Sequence, residues 1–416
     1  MLADLGPASE MPAPGRLPSI AGLVLLLDLR RVRDWAESAP EERPLLFRPT
    51  SMEAIRTRHE AVLEVPQLAQ SLAMFERLRN RPSECTAKEL ADASAAVADW
   101  AVEHDYTETA IEWAEVAATL LPNNAKLANS AGRLTREAND FFRAELWFRR
   151  GIGLARKQDD VVEQFWGHAG YGKVCKEVGR TKDARRHLNR AARFARKEGP
   201  PSLAAVLEHE LCAFLMVRGR IAEATRRAKR ALNLYPITAP TLPAFGADVA
   251  LLLVLAGRYN VAARVARAAL RNLGQASVRA AITALASRAF AGAGEPEEAA
   301  VHRTRSLKLL SKHPQLAVLT HWHLAEGLRL MKRWDAALAE AQNALKMAEA
   351  KNDRELVRLN RLLLRAIDER RGAEPRGLNA ADRAFVRELL EKLSRWAVAT
   401  PRRRRDAGPW GLDRAA

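Results

Sequence analysis

The sequence predicts an all-α solenoid of about seven helix hairpins, and three observations carry that reading. Six segments punctuate the chain in the same way: Asn139 to Ala144, Gly179 to Ala184, Gly219 to Ala224, Gly257 to Ala262, Gly294 to Ala299 and Lys332 to Ala337. Their final alanines stand 40, 40, 38, 37 and 38 residues apart, and a more divergent copy ends at Ala110, 34 residues before Ala144. Between these turns, apolar residues recur at helical spacing, as in Trp166, Ala169, Gly170, Val174, Cys175 and Val178. A fixed period of this size is the mark of stacked helical repeats.

The elements follow in chain order. Residues 1–18 are rich in Pro, Gly and Ala and are expected to be disordered. Residues 19–85 should form a helical extension. Within it, Ile20 to Leu27 is the most apolar run, too short to span a bilayer and without the flanks of a secretory signal. It is expected to dock on the solenoid. Residues 51–80 read as helix through Ile55, Val62, Leu63, Leu68, Leu72, Phe75 and Leu78.

The repeats occupy 86–350. In the copy centred on Gly179, a first helix ends at that glycine, which accepts the left-handed backbone without a Cβ clash. A second helix then runs from about Lys182 to Arg196 with Ala184, Leu188, Ala191 and Ala195 on one face. Gly172 and Ala184 are small enough for the two helices to approach closely. One hairpin cannot bury its own apolar face, so stacked neighbours build the core. Residues 351–398 supply two more helices, one with Leu356, Leu359, Leu363 and Ile367, the other capped by Asn379 and carrying Phe385, Leu389, Leu393 and Trp396. Both are expected to close the open end of the stack. A basic tail, 399–416, holds Arg402 to Arg405 and should be flexible.

The repeats resemble the tetratricopeptide repeat (TPR) family, whose motif has small residues at positions eight and twenty, a turn near fifteen and an alanine at twenty-seven. With each final alanine at twenty, position eight holds Ala98, Gly132, Gly172, Cys212, Ala250, Ser287 and Ala325. Position twenty-seven holds Ala117, Gly151, Ala191, Ala231, Ala269, Ser306 and Ala344. Gly179, Gly219, Gly257 and Gly294 fall at fifteen, and Pro122 and Pro236 at thirty-two, where the motif often has proline. The resemblance implies a right-handed superhelix, with first helices lining a concave groove and second helices forming a convex back. It also implies a protein-binding scaffold.

The chain carries a net charge of +17, unevenly distributed. Residues 1–140 hold 15 basic and 22 acidic side chains, and residues 141–416 hold 52 and 28. Such asymmetry suggests an acidic partner, nucleic acid included, although an Arg-rich face in a chain also rich in alanine is more often a solvated surface. The densest basic run, Arg185, Arg186, Arg190, Arg193, Arg196 and Lys197, lies on a second helix, as do Arg226, Arg227, Lys229 and Arg230. The resemblance therefore turns it away from the groove.

Transferred to this chain, the family's groove positions are Lys126, Asn129, Arg133, Arg136 and Glu137 in the second copy, then Trp166, Ala169, Lys173, Lys176 and Glu177 in the third. The fourth gives Val206, His209, Ala213, Met216 and Val217, and the fifth Ala244, Ala247, Leu251, Val254 and Leu255. The seventh gives Leu319, Trp322, Glu326, Arg329 and Leu330. The expected site is thus a basic N-terminal stretch (Lys126, Asn129, Arg133, Arg136, Lys173, Lys176) followed by an apolar middle. Trp166 and Trp322 would be anchors, with His209, Met216 and Arg329 as further contacts. It suits a protein or peptide partner with an acidic end and apolar anchors. Lys126, Asn129 and Arg133 look superficially like the carboxylate clamp of chaperone-binding members, but the order differs and the second half is missing. Self-occlusion, by residues 23–27 or by tighter winding, is the competing expectation for the apolar middle.

No catalytic, metal or cofactor motif is present. There is no His-Glu-x-x-His, no paired Cys-x-x-Cys, no Gly-x-Ser-x-Gly and no phosphate-binding glycine loop. His321 and His323 are two apart and point to opposite faces of a helix. Cys85, Cys175 and Cys212 have no paired spacing and fit packing roles in a reducing compartment, the cytoplasm. The functional expectation is a non-catalytic scaffold that holds a peptide in the groove. The alternative is a regulatory module of a transcription or signalling system that contacts nucleic acid or an acidic regulator through the basic surface.

Overall fold

A computed structural model of the chain describes residues 17–47, 50–197, 200–372 and 375–399. The expectations placed on residues 1–16 and on the Arg402 to Arg405 tail lie outside these. Two compact units meet at Ala138 and Asn139. The described residues are helical with no strand.

Unit 1 holds α1 (Ile20–Glu37), α2 (Met52–Glu64), α3 (Ala69–Asn80), α4 (Ala87–Glu103), α5 (Thr107–Leu120) and α6 (Ala125–Glu137). The apolar run opens α1, which packs against α2, α3 and α5 and buries Ala21, Val24, Leu25, Leu29, Val32 and Trp35. Asp28 is buried with them and is paired with Arg58 and Arg31. The helical stretch expected over 51–80 is built of two helices. Pro66 opens a short 3₁₀ turn (Pro66–Leu68) between α2 and α3, because proline cannot donate the hydrogen bond that would continue α2. α4 starts on a capping box in which Thr86 and Glu89 satisfy each other's backbone N–H groups.

Unit 2 begins with α7 (Phe141–Lys157). Five hairpins follow: α8 (Val161–Glu177) with α9 (Thr181–Lys197), α10 (Pro201–Val217) with α11 (Ile221–Leu234), α12 (Leu242–Leu255) with α13 (Tyr259–Leu270), α14 (Ala276–Ala293) with α15 (Pro296–Leu310), and α16 (Ala317–Leu330) with α17 (Trp334–Ala350). α18 (Arg354–Asp368) and α19 (Ala380–Ala399) complete it. The repeat register is written in the backbone. Position fifteen has a positive φ in all seven copies, at Asp105, Asn139, Gly179, Gly219, Gly257, Gly294 and Lys332. Each copy therefore ends its first helix in the left-handed conformation, whether or not glycine stands there. The small residue at position eight does what its size suggests. A Cβ on Gly172 would lie 3.2 Å from Leu188 and 3.5 Å from the Ala184 carbonyl of α9.

Within unit 2, each first helix packs on the next first helix, while no second helix packs closely on the next second helix. The array therefore curves toward the row α8, α10, α12, α14, α16. The curvature is strong enough that α18, stacked on α17 and α16, also touches α8. Arg358 Nη2 donates to the Val217 carbonyl at 2.8 Å, and Gly179 faces Arg354. Leu363 and Ile367 of α18 are buried with Trp322, Ala337 and Ala341, covering the last hairpin.

α19 does not share that place. It lies on α12 and α13 and buries Phe385, Val386, Leu389, Leu393 and Trp396 in the main core of the unit. Trp396 Nε1 donates to the Ala239 carbonyl at 2.9 Å, and Lys392 Nζ to the Leu232 carbonyl at 2.6 Å. Asp382 pairs with Lys229 at 2.8 Å and Arg258 at 3.5 Å. Gly246 makes the seat possible, since a Cβ there would stand 3.0 Å from a Leu393 methyl.

Candidate functional site

The inner wall of unit 2 is the surface that curvature offers to a ligand. Its side chains project from the first helices, and their polar groups mostly meet one another. Lys173 of α8 pairs with Glu210 of α10 at 2.6 Å. Burial pushes the Glu210 carboxyl up, but Lys173, with help from His209 and Lys176, holds it below the usual range. His209 of α10 contacts Tyr235 Oη at 3.1 Å through Nδ1 and Asp248 of α12 at 2.8 Å through Nε2. Arg288 of α14 pairs with Glu326 of α16 at 3.3 Å. Oppositely charged or hydrogen-bonding residues thus join successive first helices.

The expected contact residues divide accordingly. Trp166, Lys173 and Lys176 are half-buried on α8, and among the described residues no carboxylate lies within 4 Å of Lys176, though Glu210 and Asp353 feel its charge. Trp166 packs on the main core, edge-on to Phe165 at 5.2 Å. Met216 is buried in that core and Trp322 in the cluster beneath α18, so neither presents an open face. His209 is buried by the contacts just described. Arg329 is buried too, donating to Glu326 at 3.0 and 2.8 Å and to the Arg371 carbonyl at 2.5 Å. Tight winding is the physical reason: among the groove positions of unit 2, none is fully exposed.

On α6 in unit 1, Lys126 is exposed and Asn129 buried. Arg133 and Arg136 both lie against Glu137, at 3.2 and 3.3 Å. The basic stretch is therefore partly neutralised from within.

Three residues of the wall were missed in the sequence: Glu210, Asp248 and Arg288. The signal was available. Lys173 and Glu210 occupy positions nine and six of adjoining copies, and Arg288 and Glu326 both occupy position nine. Opposite charges between copies, rather than within one, mark Glu210 and Arg288.

A second polar cluster lies between α8 and α9. His168 and His187 are buried with their Nδ1 atoms 2.9 Å apart. Burial, with the neighbouring ring and the arginines of α9, lowers both to about 4. The folded pair refuses protons that unfolded imidazoles, near 6.5, accept. Stability should therefore fall as pH drops through 6.5 and level off below about 4. Asp353, raised to about 6 by burial, works in the opposite sense between 6 and 3.8 and offsets part of the decline. Urea midpoints measured across this range should show the decline. A His168→Gln, His187→Gln double variant should lose the share of these two, leaving that of His323, which burial also holds well below its ordinary value.

Among the described residues, no group of three or more His, Cys, Asp and Glu is arranged to hold a metal ion, and no helix is long and apolar enough to cross a membrane. The three cysteines are free and buried, and burial pushes the Cys175 thiol up to about 11.

No family model matches the chain, and no curated protein matches it. Among solved structures, it is similar to the Rap conjugation gene regulator of the plasmid pLS20 in complex with the Phr* peptide. That match has 15% identity and a TM-score of 0.42, covering 96% of this chain and 100% of the other. It is also similar to a Rap protein complexed with competence and sporulation factor, at 11% identity and a TM-score of 0.36 over 91% and 98% of the two chains. The P58(IPK) TPR domain matches at 13% identity and a TM-score of 0.23 over 85% and 99%. None reaches a TM-score of 0.5, so what this chain binds has to be read from its own residues. On those residues, with their seven left-handed turns and small-residue helix contacts, the array is TPR-like.

Proposed function

We propose that the protein is a peptide-binding scaffold whose unit 2 takes an extended, acidic segment along the row of first helices. The observation that carries this reading is the composition of the half-buried wall. Trp166, Val217, Leu251, Leu255, Leu319 and Leu330 are neither sealed in the core nor fully exposed, and Lys176 stands on the same row, acting on Glu210 and Asp353 from a distance but with no carboxylate within 4 Å among the described residues. Half-buried apolar groups gain from a covering chain, and an ammonium without a contacting carboxylate gains from one. Tight winding favours an extended strand over a helix, which needs a groove about 10 Å across. On unit 1, considered by itself, Lys126, Asn129, Arg133 and Arg136 are proposed as a contact for acidic side chains.

Peptide pools of equal length that differ only in net charge test this by fluorescence anisotropy. The acidic pool should bind, and Lys176→Glu should weaken it by about tenfold, the scale of one charge-assisted contact. Equal binding of acidic and basic pools, or no effect of Lys176→Glu, would remove the basis for the reading.

One observation favours a second reading. Lys182, Arg185, Arg190, Arg193 and Arg196 of α9 are exposed and have no carboxylate partner among the described residues. Such a face suits phosphates. Binding of a DNA duplex that weakens steeply with salt and is lost in Arg190→Glu, Arg193→Glu would support it. A salt-independent interaction would count against it.

A further inference from the structure

Between α14 and α16, two guanidinium groups share one carboxylate. Arg329 uses Nε and Nη2 on Glu326 Oε2 and Nη1 on the Arg371 carbonyl, so it is fully engaged. Arg288 is not. Its Nη2 lies 3.3 Å from Glu326 Oε1, but its Nε and Nη1 are buried and meet no acceptor. The residue is 5% exposed, and its guanidinium sits 4.8 Å from the centre of the Trp322 ring. The Trp322 Nε1 is also buried without an acceptor.

The charges do not balance. Among the described residues, Glu326 is the one carboxylate whose field is felt at Arg288, and it serves Arg329 as well. Tyr259 also lies close, and His323 adds no positive charge, since burial and Arg288 hold its pKa well below the ordinary value. A buried guanidinium with unused donors is costly, and in folded proteins it points to an absent partner. Water would accept from one donor but leave the charge uncompensated and bring hydrogens of its own. A carboxylate accepts only, and it neutralises. Position nine places Arg288 on the same row as Lys173, and because Arg288 and Trp322 are both buried a carboxylate reaches them only by entering between the side chains of the wall.

We propose that Arg288, with the Trp322 indole beside it, forms a subsite for a carboxylate of the bound peptide, either its C-terminus or an acidic side chain. This rests on the peptide reading above but is tested separately from it. The probes are N-acetylglycine, which presents a C-terminal carboxylate, N-acetylglutamate α-amide, which presents a side-chain carboxylate, and neutral N-acetylglycinamide. The readout is the Trp322 indole N–H signal in protein labelled with ¹⁵N at tryptophan, assigned with Trp322→Phe. A saturable shift with at least one carboxylate and none with the amide is expected. The carboxylate that binds identifies the source.

Arg288→Met should weaken that binding at least about tenfold. Because Glu326 keeps Arg329 as its ion-pair partner, Arg288→Met should still fold, and Arg288→Lys provides a second, charge-retaining variant. The proposal is overturned by absence of a shift, by an equal shift with chloride at matched ionic strength, or by unchanged affinity in Arg288→Met. Acidic peptide pools that still bind while the small carboxylates do not would sink the subsite and leave the peptide reading standing.

Discussion

Replacement of Glu326 by Gln should destabilise the protein by about 3–5 kcal/mol, the usual cost of breaking a buried ion pair from one side. Glu326 is the shared acceptor of Arg288 and Arg329, both of them buried. Gln keeps the shape and one acceptor oxygen but leaves two positive charges facing each other across α14 and α16. The loss should appear as a lower urea midpoint with an unchanged slope. A second substitution sharpens the expectation. Arg288→Met in the Glu326→Gln background should restore much of the stability, since it removes one of the two orphaned charges, and the two effects should be strongly non-additive. A cost below about 1 kcal/mol would mean that the cluster is well solvated and that the pair behaves like a surface bridge.

Trp396→Ala should cost a similar amount, about 3–5 kcal/mol, typical of a large aromatic removed from a core. The indole is fully buried and its Nε1 is held by the Ala239 carbonyl. The place of the effect matters more than its size. Because α19 rests on α12 and α13, hydrogen exchange should quicken in those two helices, while α16 and α17 keep their protection. Faster exchange in α16 and α17 instead would put α19 at the end of the stack, where the sequence alone suggests it belongs.

The contrast at α19 shows what the sequence carries and what it does not. Phe385, Leu389, Leu393 and Trp396 recur at helical spacing, so the helix and its apolar face could be read directly. Which surface that face covers could not, because periodicity names a face and never its partner. The seat depends on Gly246, an inconspicuous residue in the apolar run of α12, and on backbone carbonyls at Leu232, Tyr235 and Ala239. The turns were the opposite case. Their spacing alone defines the repeat, and the left-handed backbone extends to Asp105, Asn139 and Lys332, where no glycine marks it.

The wall was legible only in part. Lys173, His209, Trp322 and Arg329 could be placed on the first helices by position. Their burial follows from winding, a property of the summed small rotations between hairpins that no single copy displays. Charges counted copy by copy looked like a basic pocket. Charges paired between copies leave Lys176 without a contacting carboxylate among the described residues and Arg288 underused.

The measurement that tests the central claim most directly is a randomised peptide display selection on the intact protein. The selected peptide would then be photocrosslinked from positions Leu255 and Arg190. The account predicts enriched peptides that carry at least one acidic residue, crosslinked from Leu255 on the inner wall and not from Arg190 on α9. No enrichment, or crosslinking from Arg190 alone, would contradict it and place recognition on the second helices.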